Sequence, residues 1–538
     1  MLSPLLPNRI ARRIFPDTPP ISIDHGTSPT HHLDTSNGLE SPDVHHVTSR
    51  DKGTFYETFL QLVLTSWAGH AAINILPDDI LLLIFRFDRA ICLGQLGEVD
   101  RLGHLPSWRW HRLVHVCQRW RSVVFGSPNF LDLRLDCGPK TRVELIGIWP
   151  PFPIIIRTLE LWPMPKDYDF DAALVHHNRV REIYLCYLTR LQLQRLVSAM
   201  QEQFPSLTHL MLGLVDDGYP APELPDGFLG GSAPRLKSLE LFFIGFPALP
   251  KFLLSATHLV HLTLIYHPLC GYVSPEAIVT GLAALTNLKS LIIVFYPVLS
   301  LPNPESRHLP PRIRTVLPAL TRFEFQGLSE YVEDLVARID APLLDSIGIT
   351  IFHELTFDIP QLAQLMRRTT RFQALNEIHV DFFLNVNFNQ CVVQIETQLS
   401  TKTFDDKSTL TILHRESDGL LLSLAQVFIS FIPSIYMVEH LYLYGRPQWQ
   451  DDAEGIQWLE FFRPFTAVKN LHISQYFARF FALALQDLVG ERAADVLPAL
   501  ESILLEDVDP VEEAIGPFVA ARQLSGHPVA VSRWNRDP

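Results

Sequence analysis

The sequence predicts an α/β protein in two parts: a small helical unit near the front, then a long, irregular array of strand-led repeats. Three observations predict it. Between residues 75 and 130, two apolar patterns recur at the period of a helix. From Phe130 to Leu505 a different rhythm takes over, apolar-x-x-apolar-x-apolar, echoed about a dozen times. Between many of those echoes lies a stretch of helical periodicity, so that strand and helix alternate. The boundaries that follow are a disordered tail over 1–52, a helical unit over 53–130, repeats over 131–510, and a cap or tail over 511–538.

Taken in order, residues 1–52 are rich in Pro, Ser, Thr, His and Asp and lack periodicity, so they have too little to bury to form a core. His31-His32 and His45-His46 fall in this tail, where nothing fixes a metal-binding geometry. Residues 55–68 then predict a short helix. Leu76-Pro77-Asp78-Asp79 is a helix start, because proline suits a first turn and aspartate suits the positive N-terminus. Ile80, Leu83, Ile84 and Phe87 follow on one helical face. A second stripe comprises Trp110, Leu113, Val114, Cys117, Trp120 and Val124, and Gly126 and Pro128 stop it. Arg112, Gln118, Arg119 and Arg121 lie largely off that stripe, as solvated positions. So small a unit rarely stands alone, which implies a partner surface; a general helical core is the plainer alternative.

The repeat triplets begin at Phe130-Leu133-Leu135 and Ile156-Leu159-Leu161, then Val180-Ile183-Leu185, Leu207-Leu210-Leu212 and Leu236-Leu239-Leu241. They continue at Leu259-Leu262-Leu264, Leu288-Leu291-Ile293, Leu320-Phe323-Phe325, Leu344-Ile347-Ile349 and Leu375-Ile378-Val380. Val438-Leu441-Leu443, Val468-Leu471-Ile473 and Leu500-Ile503-Leu505 close the series. One interval is double length, and residues 408–413 supply a degenerate strand inside it. Each unit leaves an apolar face open until a neighbour stacks on it. Residues 189–203, 275–285 and 477–489 read as return helices, and Pro205, Pro234, Pro318, Pro342 and Pro498 punctuate the turns into strands. A conventional α/β domain would leave these echoes unexplained.

A formal charge of −14 argues against a dedicated nucleic-acid binder. The 6 cysteines show no C-x-x-C spacing, hence neither a zinc site nor a disulfide framework, and no secretory signal precedes them. Residues 419–438 carry no charge and could span a bilayer by length, but Ser423, Gln426, Ser430 and Pro433 interrupt them and no basic cluster flanks them. A buried helix leading into a strand fits better, and a cytoplasmic or nuclear home is expected.

The chemistry-bearing motifs are missing. The chain has no G-x-S-x-G, P-loop, G-x-G-x-x-G or H-E-x-x-H pattern. His258 and His261 flank a predicted strand rather than sharing a helix. Asp216-Asp217, Asp405-Asp406 and Asp451-Asp452 sit in polar loops without a third ligand. No enzyme, cofactor or metal is expected. The strand-face residues between apolar positions would form a protein-binding surface: Thr208, His209 and Met211; Lys237, Ser238 and Glu240; Val260, His261 and Thr263; Glu439, His440 and Tyr442.

Leu76-Pro77-Asp78-Asp79-Ile80 through Phe85, followed by Val116-Cys117-Gln118-Arg119-Trp120, resembles an F-box, and the wording from Trp108 to Leu135 is similar to the F-box proteins of mushroom-forming fungi. The resemblance covers about a tenth of the chain and departs from the family in the long gap from Asp88 to Ser107. The triplets resemble an irregular leucine-rich-repeat array of the kind that follows F-boxes, although the asparagine or cysteine after the strand is mostly absent. The resemblance implies the substrate-recognition subunit of a cullin-based ubiquitin ligase: the F-box binds a Skp-type adaptor through Leu76, Pro77, Ile80, Ile84, Val116 and Trp120, and the repeats capture a target protein. A scaffold acting outside ubiquitin transfer would share the same sequence.

Overall fold

The computed structural model describes residues 76–94, 110–138, 145–157, 170–215, 222–266, 273–295, 314–352, 359–369, 376–385, 390–398, 408–414, 435–445, 460–475, 495–506 and 512–534, with isolated positions between 425 and 485. The tail at 1–52, the 55–68 segment, the three aspartate pairs and most of 419–434 lie outside the described residues. The chain forms two compact units, Met1–Leu133 and Arg134–Pro538.

In the first unit, α1 (Asp78–Gly94) starts where Pro77 and the two aspartates place it. It buries Leu81 and Phe85. The second apolar stripe makes two helices rather than one, α2 (His111–Val114) and α3 (Gln118–Gly126). Cys117 is the cause: its backbone is extended, at φ −157° and ψ 170°, and its Sγ accepts a hydrogen bond from the Trp120 amide at 3.4 Å. A new helix therefore begins at Gln118. The Arg121 Nε donates to the Val114 carbonyl at 3.0 Å and holds the two short helices together. Arg119 ties α3 to the start of α1, donating to the Leu76 carbonyl and to Asp78 Oδ1 at 2.7 Å.

The second unit is built on a 16-stranded sheet. Its strands are β1 (Leu135–Cys137), β2 (Ile154–Arg157), β3 (Val180–Leu188), β4 (His209–Leu214), β5 (Ser238–Phe242), β6 (His261–Tyr266), β7 (Ser290–Phe295), β8 (Arg322–Gly327) and β9 (Ser346–Phe352). After them come β10 (Glu377–Asn385), β11 (Gln390–Gln398), β12 (Ser408–His414), β13 (His440–Gly445), β14 (Asn470–Ile473), β15 (Ser502–Leu505) and β16 (Ala530–Arg533). From β1 to β9 each strand lies parallel to the next in sequence.

Register confirms the middle positions of most triplets. Ile183, Leu210, Leu239, Leu262, Leu291, Phe323 and Ile347 pair strand to strand, and Ile378, Leu441, Leu471 and Ile503 do likewise farther on. The first two triplets need correction. Ile156 pairs with Ile183 and Cys137 with Ile156, so Ile156 fills a middle position, not a first one. Phe130 is 42% exposed and precedes the array. The run Ile154-Ile155-Ile156 offers several apolar registers, and a bulge against β3 selects this one.

The turn into each strand has a common chemistry. The amides of Leu207, Leu236, Leu320, Leu344 and Leu500 donate to the carbonyls of Phe204, Ala233, Leu317, Ala341 and Leu497 at 2.9–3.3 Å. Each closes a four-residue turn whose second position is Pro205, Pro234, Pro318, Pro342 or Pro498, the place where a fixed φ suits a turn. Return helices pack behind. Thr189 and Gln192 form a capping box on Arg190–Ala199, and Ser274 caps Pro275–Leu282.

The double-length interval holds a meander. β12 pairs parallel with β9, β10 pairs parallel with β13, and β11 lies antiparallel between β12 and β10. The chain thus skips two strand positions, returns through β11 and crosses again. Gly445, at φ +86°, ends β13 where an added Cβ would overlap the Phe382 carbonyl oxygen, so only glycine fits. The sheet continues beyond residue 510. The helix Glu512–Leu524 leads into β16, which pairs with β15. Among the described residues, no helix is long and apolar enough to cross a membrane.

Candidate protein-binding surfaces

On α1 the row beside the Leu81–Phe85 packing face stays in solvent. Ile80, Leu83 and Phe87 are 38%, 44% and 56% exposed, and Ile84 is half-buried. A helix finished by its own core normally turns such a row inward. Pro77 is exposed, Leu76 is half-buried, and Val116, between α2 and α3, is exposed. Trp120 is half-buried, with its ring 4.8 Å from that of Phe85. Among the residues the sequence selected, Pro77, Ile80 and Val116 are open to a partner, whereas Trp120 is first a packing group.

In the second unit, strand register assembles a cluster that the sequence reading named only in part. His379 on β10, Tyr442 on β13 and His472 on β14 are register partners. Their rings stack face to face, 4.1 Å apart at 2° and 4.0 Å apart at 17°. Trp534, just past β16, meets His472 edge-on at 5.2 Å. Alongside runs a polar row in which Ser502 Oγ donates to Asn470 Oδ1 at 2.5 Å and Asn470 faces His440 at 3.4 Å. Glu439 and Lys469 pair at 2.8 Å beside it.

The stack governs its own charge. Burial, then His440 and His379, pushes His472 down to about 4, so the ring is neutral at pH 7. His379, whose Nε2 lies 3.8 Å from Glu377 Oε2, holds that carboxyl below its ordinary value; at this separation the influence is electrostatic rather than a hydrogen bond. Burial and then Glu377 raise the Tyr442 phenol. A slab of stacked aromatic rings with a polar fringe suits contact with another protein. Among the described residues, no group of three or more His, Cys, Asp and Glu could hold a metal.

Elsewhere on the strand face the outcome is mixed. Met211 and Ser238 are buried, Met211 against the Cys186 sulfur at 3.4 Å, so neither is a contact residue. Lys237 and His261 are exposed as expected. His261 opens β6, and the His258 ring bonds the Pro234 carbonyl at 2.9 Å, so the two share no helix face.

No family model matches the chain. No curated protein matches it. Among solved structures, the leucine-rich repeat-containing protein LegL7 from Legionella pneumophila is similar at 13% identity and a TM-score of 0.25, over 74% of this chain and 99% of that one. The repeat architecture described above stands on strand order, register and turn geometry in this chain alone.

His379, His472 and Trp534 were missed by sequence reasoning. A signal existed for two of them: aligning the triplets puts His379, Tyr442 and His472 in one column. Trp534 had none, because β16 carries no triplet.

Proposed function

We propose that this chain is a non-catalytic recognition subunit of a cullin-based ubiquitin ligase, with α1 and α3 docking on a Skp-type adaptor and the strand face capturing a target protein. The observation that carries the reading is the solvent-exposed row Ile80, Leu83 and Phe87 on a helix opened by Leu76-Pro77-Asp78-Asp79. Burying one such side chain in a partner is worth about 1.5–3 kcal/mol, so a few of them sustain a specific contact. The chain itself would supply no bond-making step. It would raise the concentration of its target near the conjugating enzyme, an effective-concentration effect.

Replacing Leu76 and Pro77 with alanine tests the docking. Arg119 grips the Leu76 carbonyl, a backbone group that survives the change, so α1 stays anchored. Co-purification with a recombinant Skp-type adaptor is expected to be lost while circular dichroism is unchanged. Undiminished capture would count against the reading. Capture of the adaptor without any cullin would favour a scaffold role instead.

A further inference from the structure

The backbone ladder at the entry to the strands from β3 to β7 places cations at a single level, Arg181 on β3, Lys237 just before β5 and Lys289 just before β7. The Thr208 amide bonds the Arg181 carbonyl at 2.8 Å, Lys237 bonds Thr208 at 2.7 Å, Val260 bonds Lys237 at 2.7 Å and Lys289 bonds Val260 at 2.8 Å. Arg181, Lys237 and Lys289 therefore stand in one row, separated by Thr208 and Val260. Neighbouring strands lie about 4.8 Å apart, so successive cations are about 10 Å apart. The next row inward adds His209, His261 and Arg322 at equivalent register.

The acidic groups of this face are turned to internal use. Glu182 is buried and takes Arg134 at 3.0 Å and the Tyr184 hydroxyl at 3.3 Å, and Arg181 lies 3.9 Å from it. Glu324 is occupied by Arg322, and Glu240 accepts from Ser238 at 3.2 Å. Lys237 and Lys289 are exposed and make no ion pair among the described residues. Two histidines stand beside these cations. Partial burial of the ring first, then Lys289 and Arg322, holds His261 below the ordinary imidazole value. His209 is likewise lowered, by burial first, with Glu182 opposing and Arg181, Lys237 and His261 contributing. This strip lies on a chain whose formal charge is −14.

We infer that the strip across β3 to β7 binds an acidic segment of a partner protein in polyproline II form, with carboxylates three residues apart meeting Lys237, Lys289 and Arg181. A polyproline II chain has three residues per turn and advances about 3.1 Å per residue, so acidic residues at i, i+3 and i+6 share one face about 9 Å apart and match the cation spacing. The alternative polyanion is a nucleic acid. It would face the repulsion of an acidic chain, and the level of the strip carries Thr208 and Val260 between its cations, with no aromatic platform for bases. The inference deepens the proposed function by naming a class of target, and it rests on reading the strand face as the recognition surface. It is independent of adaptor docking.

The test is fluorescence anisotropy on the full chain without adaptor. The probes are a labelled nonapeptide carrying glutamates at positions 2, 5 and 8, its lysine counterpart, a glutamate peptide of i, i+2 spacing, and labelled oligo-dT. The i, i+3 glutamate peptide is expected to bind, at least tenfold more tightly than the other three, with affinity falling as salt rises. The double reversal Lys237→Glu with Lys289→Glu should weaken that binding at least tenfold, and Lys237→Gln with Lys289→Gln should weaken it less. Both lysines are exposed, so circular dichroism should not change. Failure of the glutamate peptide to bind, indifference to the double reversal, or preference for oligo-dT would each overturn the inference. None of these outcomes bears on adaptor capture, which the Leu76 and Pro77 replacement reads separately.

Discussion

Trp120 meets Phe85 edge-on, with ring centroids 4.8 Å apart and planes at 61°. Phe85 is almost fully buried on α1 and Trp120 is half-buried on α3, so one aromatic contact joins the two halves of the helical unit. Replacing Trp120 with alanine removes that contact and leaves a void beside Phe85. A fully buried aromatic lost in this way costs about 3–5 kcal/mol, and partial exposure places the expected cost at about 2–3 kcal/mol. Thermal unfolding followed by near-ultraviolet circular dichroism should show the first unit melting earlier. An unchanged profile would mean the rings do not hold the unit together.

Gly445 offers a sharper test of the meander. Its positive φ and the Phe382 carbonyl oxygen leave no room for a Cβ. Gly445→Ala should lower stability by more than about 2 kcal/mol, because a non-glycine residue there carries backbone strain as well as a clash. Gly126→Ala is the control, since nothing lies within 4 Å of an added Cβ there. Urea midpoints measure both. Equal shifts would show that β10 and β13 do not approach as described.

The histidines set a pH dependence of defined sign. His472 is held down to about 4 in the folded chain, below its ordinary value of 6.5. The unfolded chain therefore binds a proton that the folded chain refuses between those two values. The associated stability is fully present above pH 6.5 and is lost as pH falls toward 4. His209, lowered chiefly by burial, and His261, lowered by partial burial of its ring and by the neighbouring Lys289 and Arg322, act in the same direction. Urea midpoints should fall from pH 7.5 to pH 5. His472→Phe, which keeps a ring in the stack, should reduce that fall without abolishing it. A midpoint that rises on acidification would contradict the account.

Much of this fold was legible because one residue triplet fixes strand, inward face and register together. Leu210, Leu239 and Leu262 could be aligned by eye and do pair. The failures have physical reasons. Ile154-Ile155-Ile156 is apolar at every position, so periodicity could not select a register. β11 alternates Val393 and Ile395 inward without a triplet, and its antiparallel course depends on pairing partners far apart in sequence. Cys117 reads as a helical stripe member yet breaks the helix, because its extended backbone and sulfur cap α3. The exposed row on α1 was visible as a pattern, but only burial distinguishes a row facing solvent from one facing a core.

The most direct measurement is isothermal titration calorimetry of the full chain with a recombinant Skp-type adaptor, comparing the native sequence with Ile80→Glu. Ile80 is already 38% exposed, so the substitution should leave folding intact. The account predicts binding by the native chain and a loss of at least tenfold in the variant, which places a charge where apolar surface must be buried. No binding by the native chain, or equal binding by both, would contradict it.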